Sequence, residues 1–233
     1  MQSHFIKWSV KETSPEKLIV RLTTFFQHMN KLITLVLMIL SVYSCSNDQE
    51  TTIPDENIGI LFIGNSLTYF NDLPILVRDR VEAQGKEITV KMVAYPNYAI
   101  VDHWADGEVQ QLISSKNYDY VIIQQGPSSQ SEGRQMLIES GKLYSDLCEQ
   151  NDAKLCYFMV WPSISNYGTF DGVIINHTDA AAMNNSILLP VGEVWKAYID
   201  NTNNLDYYGP DGFHPSVKGS EVAAEVIVEH LFN

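Results

Sequence analysis

From Ile58 onward, apolar positions follow two alternating rhythms. Short continuous apolar runs at 58–63, 88–94, 118–123, 155–161 and 187–191 read as strands buried on both faces. Between them apolar residues recur at helical spacing, as at Leu73, Leu76, Val77 and Val81. This spacing predicts helices over 73–83, 101–114, 131–150, 169–183, 193–199 and 216–231. Strands alternating with helices predict an α/β protein with a parallel sheet covered on both faces and right-handed crossovers. Five strands fit a three-layer α/β/α sandwich with a flavodoxin-like sheet. Ligands of such sheets bind at the carboxyl ends of the strands, so function is expected in the loops after Ile63, Ala94, Ile123 and Trp161.

The first 57 residues follow a different pattern. The apolar run Leu32 to Val42 is shorter than the roughly 20 residues of a spanning helix and suits the apolar stretch of a signal peptide. It follows Met29-Asn30-Lys31, a short positive segment with its own methionine, and ends in Val42-Tyr43-Ser44-Cys45, which resembles the lipobox of bacterial lipoproteins. The resemblance implies that Cys45 carries lipid. Residues 1–28 then form an upstream extension, 29–45 a lipoprotein signal, 46–57 a polar tether and 58–233 a single domain. An ordinary cleaved signal or a weak anchor, with Cys45 incidental, is the alternative; on either reading the domain lies outside the cytoplasm and meets a membrane only through its N-terminus.

Composition narrows the choices further. With 45% hydrophobic and 18% charged residues, 13 Gly and 9 Pro in 233 residues, the chain is neither collagen-like, disordered throughout, nor a disulfide miniprotein. The first 44 residues hold five Lys/Arg and two acids, leaving ten basic and 26 acidic residues, formally −16, in the remainder. That charge repels phosphate backbones, so nucleic acid is not an expected partner, and a neutral or cationic substrate suits it better. Cys148 and Cys156 fall in a helical and a strand pattern and read as buried free thiols. No Cys/His spacing suggests a metal site, and neither metal nor organic cofactor is expected.

Two loops carry candidate chemistry. Gly64-Asn65-Ser66-Leu67-Thr68 follows the first strand and precedes a helix, where a serine hydroxyl would stand over the sheet edge near a helix N-terminus. Taken alone it reads first as a turn or N-cap. Asp211-Gly212-Phe213-His214-Pro215-Ser216 precedes the last helix. A serine nucleophile needs an imidazole to take its proton, and the imidazole needs a carboxylate to hold its tautomer. An Asp three residues before a His can fold back onto it within one loop.

Together the two ends resemble the SGNH, or GDSL-type, hydrolases over about Ile58 to Leu231, with VIIQQGPSS (Val121 to Ser129), VWP (Val160 to Pro162), PVGEVW (Pro190 to Trp195) and YGPDGFHPS (Tyr208 to Ser216) pointing to one bacterial branch. The resemblance implies Ser66 as nucleophile, His214 as general acid/base and Asp211 as its orienting partner, with Asp206 as a neighbouring alternative. It also implies an oxyanion hole from the Ser66 N–H and donors of the second and third blocks. Here the family's aspartate of the first block is Asn65 and its second-block glycine is Asn97, a residue that tolerates left-handed geometry. Where the third-block asparagine would stand are Gln124, the first candidate for its amide donor, and Gln125, the second. His103 is a weaker candidate for substrate contact, and Trp161 for a wall against a sugar or acyl group.

The implied activity is hydrolysis of a small acyl ester, an acetyl above all, on an extracellular carbohydrate or small molecule. Two alternatives stand beside it: a lipase or thioesterase for longer acyl chains, which would need an apolar trough that Pro162 to Phe170 looks too polar to line, and a catalytically inactive glycan-binding module. The oligomeric state is not legible in the sequence.

Overall fold

The structure, a computed structural model, describes residues 57–232 together with Met29. Apart from Met29, the expected signal segment, Cys45 and nearly all of the tether lie outside the described residues.

Five strands, β1 (Ile58–Gly64), β2 (Ile88–Ala94), β3 (Tyr120–Ile123), β4 (Lys154–Phe158) and β5 (Ile187–Leu189), form one all-parallel sheet in the order β2-β1-β3-β4-β5. This is the flavodoxin-like order expected from the alternating pattern. The central strands send alternate residues into two cores, whereas the edge strand β2 leaves Thr89, Lys91 and Met92 exposed. Ile60, Phe62, Ile122, Cys156 and Phe158 point to one side, under α2 (Leu73–Glu82), α7 (Val191–Thr202) and α8 (Val217–Phe232). Leu61, Ile63, Val121, Ile123, Leu155 and Tyr157 point to the other, under α3 (Ile100–Asp106), α4 (Glu108–Ser114) and α5 (Ser131–Gln150), with Ala180 and Ala181 of α6 (Phe170–Met183). Burial on both faces explains why the central strands β1, β3 and β4 read as continuous apolar runs rather than alternating ones. Cys148 and Cys156 are buried free thiols, and burial pushes the Cys148 thiol up to about 12.

The structure departs from the predicted elements in four places. The expected helix 101–114 is two helices, because Gly107 at φ +81° adopts a left-handed conformation that ends α3 and starts α4 anew. β4 stops at Phe158, and the apolar residues Met159 to Trp161 leave the sheet to enter the core beneath the last loop. Helix α7 starts at Val191, directly after Pro190, and takes in two residues at its start that the pattern had divided between strand and loop. A short helix α1 (Ser66–Tyr69) and a 3₁₀ turn (Phe70–Asp72) fill the segment between β1 and α2, too brief to show a period.

The ladder aligns the loops that matter. Ile63 pairs with Ile123 and Gly64 with Ala94, and beyond them the Gln124 N–H donates to the Ile63 carbonyl (2.8 Å) and the Tyr95 N–H to that of Gly64 (3.1 Å). The first turns after β1, β2 and β3 therefore start at one level, side by side.

Candidate active site

The turn after β1 is built around Asn65. Its side chain accepts from the Leu67 N–H (3.1 Å) and so caps α1, while its amide donates to the Tyr98 carbonyl (3.0 Å) in the turn after β2. Behind it, the Oε1 of buried Gln124 accepts from the Asn65 N–H (2.9 Å) and the Thr68 hydroxyl (2.8 Å). Gly64 makes room for this arrangement: a Cβ there would lie 2.3 Å from the Thr68 hydroxyl and 2.5 Å from Gln124 Oε1. Ser66, next in the chain, is the first residue of α1, so its N–H has no intrahelical partner.

The hydroxyl of Ser66 meets the last loop, 148 residues away in sequence. Its Oγ lies 2.9 Å from His214 Nε2, and His214 Nδ1 lies 2.5 Å from Asp211 Oδ2. A carboxylate can only accept, so Nδ1 carries the proton, leaving Nε2 as the acceptor for the serine hydroxyl. The other oxygen of Asp211 accepts from the N–H groups of Phe213 (3.0 Å) and His214 (2.9 Å). The bond from His214, aided by the Phe213 N–H, holds the Asp211 carboxyl down at about 2. Asp206, the alternative partner, instead receives Lys218 (2.7 Å). The imidazole stacks on Phe70, ring centres 4.1 Å apart. An imidazole held in this way can take a serine proton, and the carboxylate stabilises the charge that results.

Four bonds from elsewhere fix the position of this loop. Trp161 Nε1 donates to the Phe213 carbonyl (3.0 Å), the Ile164 N–H to the Gly212 carbonyl (2.8 Å) and the Tyr208 hydroxyl to the Pro162 carbonyl (2.8 Å). From the nucleophile side, Asn71 Nδ2 donates to the Pro215 carbonyl (3.1 Å), and also to Ser220 Oγ (2.9 Å). Asn71 and Asp72 are consecutive left-handed residues, φ +52° and +53°. Such backbone costs of order 1–3 kcal/mol per residue and persists only where its surroundings hold it.

A cleft of about 390 Å³ opens in front of Ser66, lined among others by Asn97, Tyr98, Gln125, Pro127 and Phe213. Asn97 has φ +64°, in a turn that begins Tyr95-Pro96 and closes with the Tyr98 N–H on the Tyr95 carbonyl (3.3 Å), the pattern of a type II turn with a left-handed third residue. Gln125 also reaches the cleft; its Nε2 donates to Ser128 Oγ (2.8 Å), and Ser128 in turn donates to the Gly126 carbonyl (3.0 Å). Asn176 holds the same loop through the carbonyls of Ser128 (2.8 Å) and Gln130 (3.3 Å). A larger depression of about 660 Å³ at the opposite end of the sheet holds no serine, cysteine or histidine, so volume alone does not locate the chemistry. Among the described residues no group of three His, Cys, Asp or Glu side chains is arranged to hold a metal ion.

Three sequence candidates sit away from the cleft. Gln124 is buried beneath the nucleophile turn and is not among the cleft-lining residues, its oxygen supporting Asn65 and Thr68 while its amide nitrogen has no partner among the described residues; Gln125 is the glutamine that lines the cleft. His103 is buried, and its Nε2–H donates to the Gly64 carbonyl (2.7 Å), with burial lowering the imidazole's pKa. Trp161 is fully buried and stacked on Trp195 with ring centres 3.5 Å apart, so it cannot form a wall for a ligand; it acts through the Phe213 carbonyl instead. Asn71 and Asn176 escaped sequence reasoning. The pair Asn71-Asp72 just before Leu73-Pro74 was the available signal for the first, as Asn and Asp tolerate left-handed backbone.

No protein-family model and no curated protein matches the chain. Solved structures do. A protein from Slackia heliotrinireducens assigned to the SGNH hydrolases is 22% identical, with 75% of this chain and 99% of that one aligned at a TM-score of 0.63. An acetyl-xylooligosaccharide esterase from Geobacillus stearothermophilus is 16% identical over 76% of this chain and 94% of its own, TM-score 0.63. A lipase/acylhydrolase from Enterococcus faecalis is 18% identical over 74% and 94%, TM-score 0.61. At these identities the likeness is one of architecture: the chain has the SGNH hydrolase fold.

Proposed function

We propose that this protein is a serine esterase that releases a small acyl group, acetyl in the leading case, from an extracellular carbohydrate. The observation that carries the reading is the unbroken hydrogen-bonded series Asp211, His214, Ser66 at the mouth of a cleft. Esterases among the proteins of like fold support it, two of them named for acetylated xylan or xylo-oligosaccharides.

In the reaction, Ser66 Oγ attacks the ester carbonyl as His214 Nε2 takes its proton. The Oγ–C bond forms and the carbonyl electrons move to oxygen, where the N–H groups of Ser66 and Asn97 receive them, with the Gln125 amide as the side-chain donor. Each such donor is worth about 3 kcal/mol in the transition state. Collapse breaks the bond to the alcohol oxygen, which leaves with the proton from His214. Water then attacks the acyl-serine by the same relay, giving the carboxylic acid and free enzyme.

Hydrolysis of p-nitrophenyl acetate by residues 46–233 tests this. Ser66→Ala and His214→Ala are each expected to lower kcat by about 10⁴-fold or more. A fluorophosphonate is expected to label the wild type and not Ser66→Ala. Absence of both activity and labelling would favour the glycan-binding module, and a preference for octanoyl over acetyl esters would favour a lipase. The apolar run before Cys45 further supports export and lipid attachment at that residue; mass spectrometry of the mature N-terminus is expected to find Cys45 lipidated.

A further inference from the structure

The cleft in front of Ser66 does not end at Phe213. On the other side of Phe213 and Pro127 lies a second depression of about 380 Å³, within the range of roughly 300–1,000 Å³ typical of small-ligand sites. Both residues line both depressions, so they form a common sill rather than two separate walls. Beyond the sill the lining is Ser129, Gln130, Ser163, Asn166 and Thr169 with Pro162: hydroxyls, amides and proline, and no ionisable group. The polar 3₁₀ segment Ile164–Thr169 that follows β4 supplies much of it.

Acyl transfer assigns the two sides different tasks. The oxyanion donors Ser66, Asn97 and Gln125 all line the first depression. The leaving oxygen must instead come within hydrogen-bond reach of His214 Nε2, which delivers its proton. The residue joined to His214 on this side is Phe213, which forms the sill. An alcohol whose oxygen is at Nε2 is thus directed across Phe213 into the second depression.

We propose that this second lobe is the binding site for the alcohol part of the ester, and that it takes an uncharged, hydroxyl-rich ring, a neutral sugar residue. The proposal rests on the esterase reading above. Several polar groups are available for such a ligand. The side chain of Asn166 makes no hydrogen bond among the described residues, and the exposed Gln130 uses only its Nε2, on Ser129 Oγ (3.2 Å). Hydroxyl and amide groups of this kind match ring hydroxyls, while a carboxylated sugar would find no cation here and a domain of formal charge −12 around it.

The test compares two acetyl esters on the intact domain. p-Nitrophenyl acetate has a flat aromatic leaving group with no ring hydroxyls, whereas mono-O-acetylated methyl xyloside and methyl glucoside present them. The quantity read is the ratio of kcat/KM for the acetyl sugars to that for p-nitrophenyl acetate. In the double variant Gln130→Ala/Asn166→Ala, and separately in Asn166→Trp, which fills the lobe, this ratio is expected to fall at least tenfold. Both positions are exposed, and thermal melts establish that the variants fold. An unchanged ratio in both variants overturns the assignment, as does a wild type that cleaves p-nitrophenyl acetate but neither acetyl sugar. A preference for an acetylated methyl glucuronide over the neutral glycosides overturns the claim about charge. If the wild type fails on p-nitrophenyl acetate itself, it is the esterase reading that falls.

Discussion

The two loops that meet at Ser66 and His214 are held by opposite means. The nucleophile turn is buried and local: Asn65, Leu67 and Thr68 are each no more than 6% exposed, and caps and contacts a few residues away define it, with one buried glutamine behind them. The Asp211–His214 loop is more open: Gly212, Phe213 and His214 are half-buried and the Asp211 side chain is 53% accessible. Within itself that loop sets only the Asp211–His214 pair. Its distance from Ser66 depends on Trp161, Pro162 and Ile164 of the segment after β4 and on Asn71 after β1, bonds that tie it to two other segments. The comparison teaches that a buried turn is aimed by a short-range cap backed by Tyr98 and Gln124 of the adjoining strand-end loops, whereas a more open loop that carries a distant imidazole depends on bonds reaching it from outside.

Changes within the Asp211–His214 pair sharpen that contrast most. Asp211→Asn is expected to lower kcat by about 10²–10⁴-fold, because an amide at that position can hold the wrong tautomer of His214. It also alters acid stability in a defined direction. Asp211 is held from 3.8 down to about 2 by the His214 bond first, so its contribution to stability is complete above about pH 4 and is lost as pH falls through about 2. Acid unfolding followed by circular dichroism is expected to show less loss over that window in Asp211→Asn than in the wild type.

On the nucleophile side, Gln124→Leu removes the acceptor for two buried donors, the Asn65 N–H and the Thr68 hydroxyl. Each unpaired buried donor costs about 1–3 kcal/mol. Denaturant unfolding is expected to show a loss of about 2–4 kcal/mol, with kcat down about 10- to 100-fold while the protein is folded. Full stability in this variant would break the claim that the turn is held from below.

The smallest expected effect is at Asn71, which joins the two loops. Asn71→Ala and Asn71→Gly both lose the bonds to the Pro215 carbonyl and Ser220, and both are expected to lower kcat about tenfold with KM little changed. They differ in stability: alanine at φ +52° keeps the backbone cost and glycine relieves it, by about 1 kcal/mol. A glycine variant with wild-type kcat would show that these bonds do not position His214.

The sequence by itself determined the layers and the levels of this molecule. The runs at 58–63 and 88–94 and the helical period over 131–150 correspond to β1, β2 and α5 almost residue for residue, because burial on both faces of the central strand β1 and on one face of a long helix leaves a periodic record, and the half-exposed edge strand β2 keeps its β-branched residues. The same record located the loops at the carboxyl ends of the strands, and the resemblance set Asn97 in the place of a glycine, where the structure has it at φ +64°. Only the tertiary structure decided which polar residue of those loops faces the cleft. Gln124 and Gln125 are adjacent in the chain, yet one supports the nucleophile turn and the other lines the cleft, since successive residues leaving a strand point to opposite sides. Trp161 and His103 likewise turn inward, where an indole N–H and an imidazole N–H each find a backbone carbonyl that only the folded chain brings within reach.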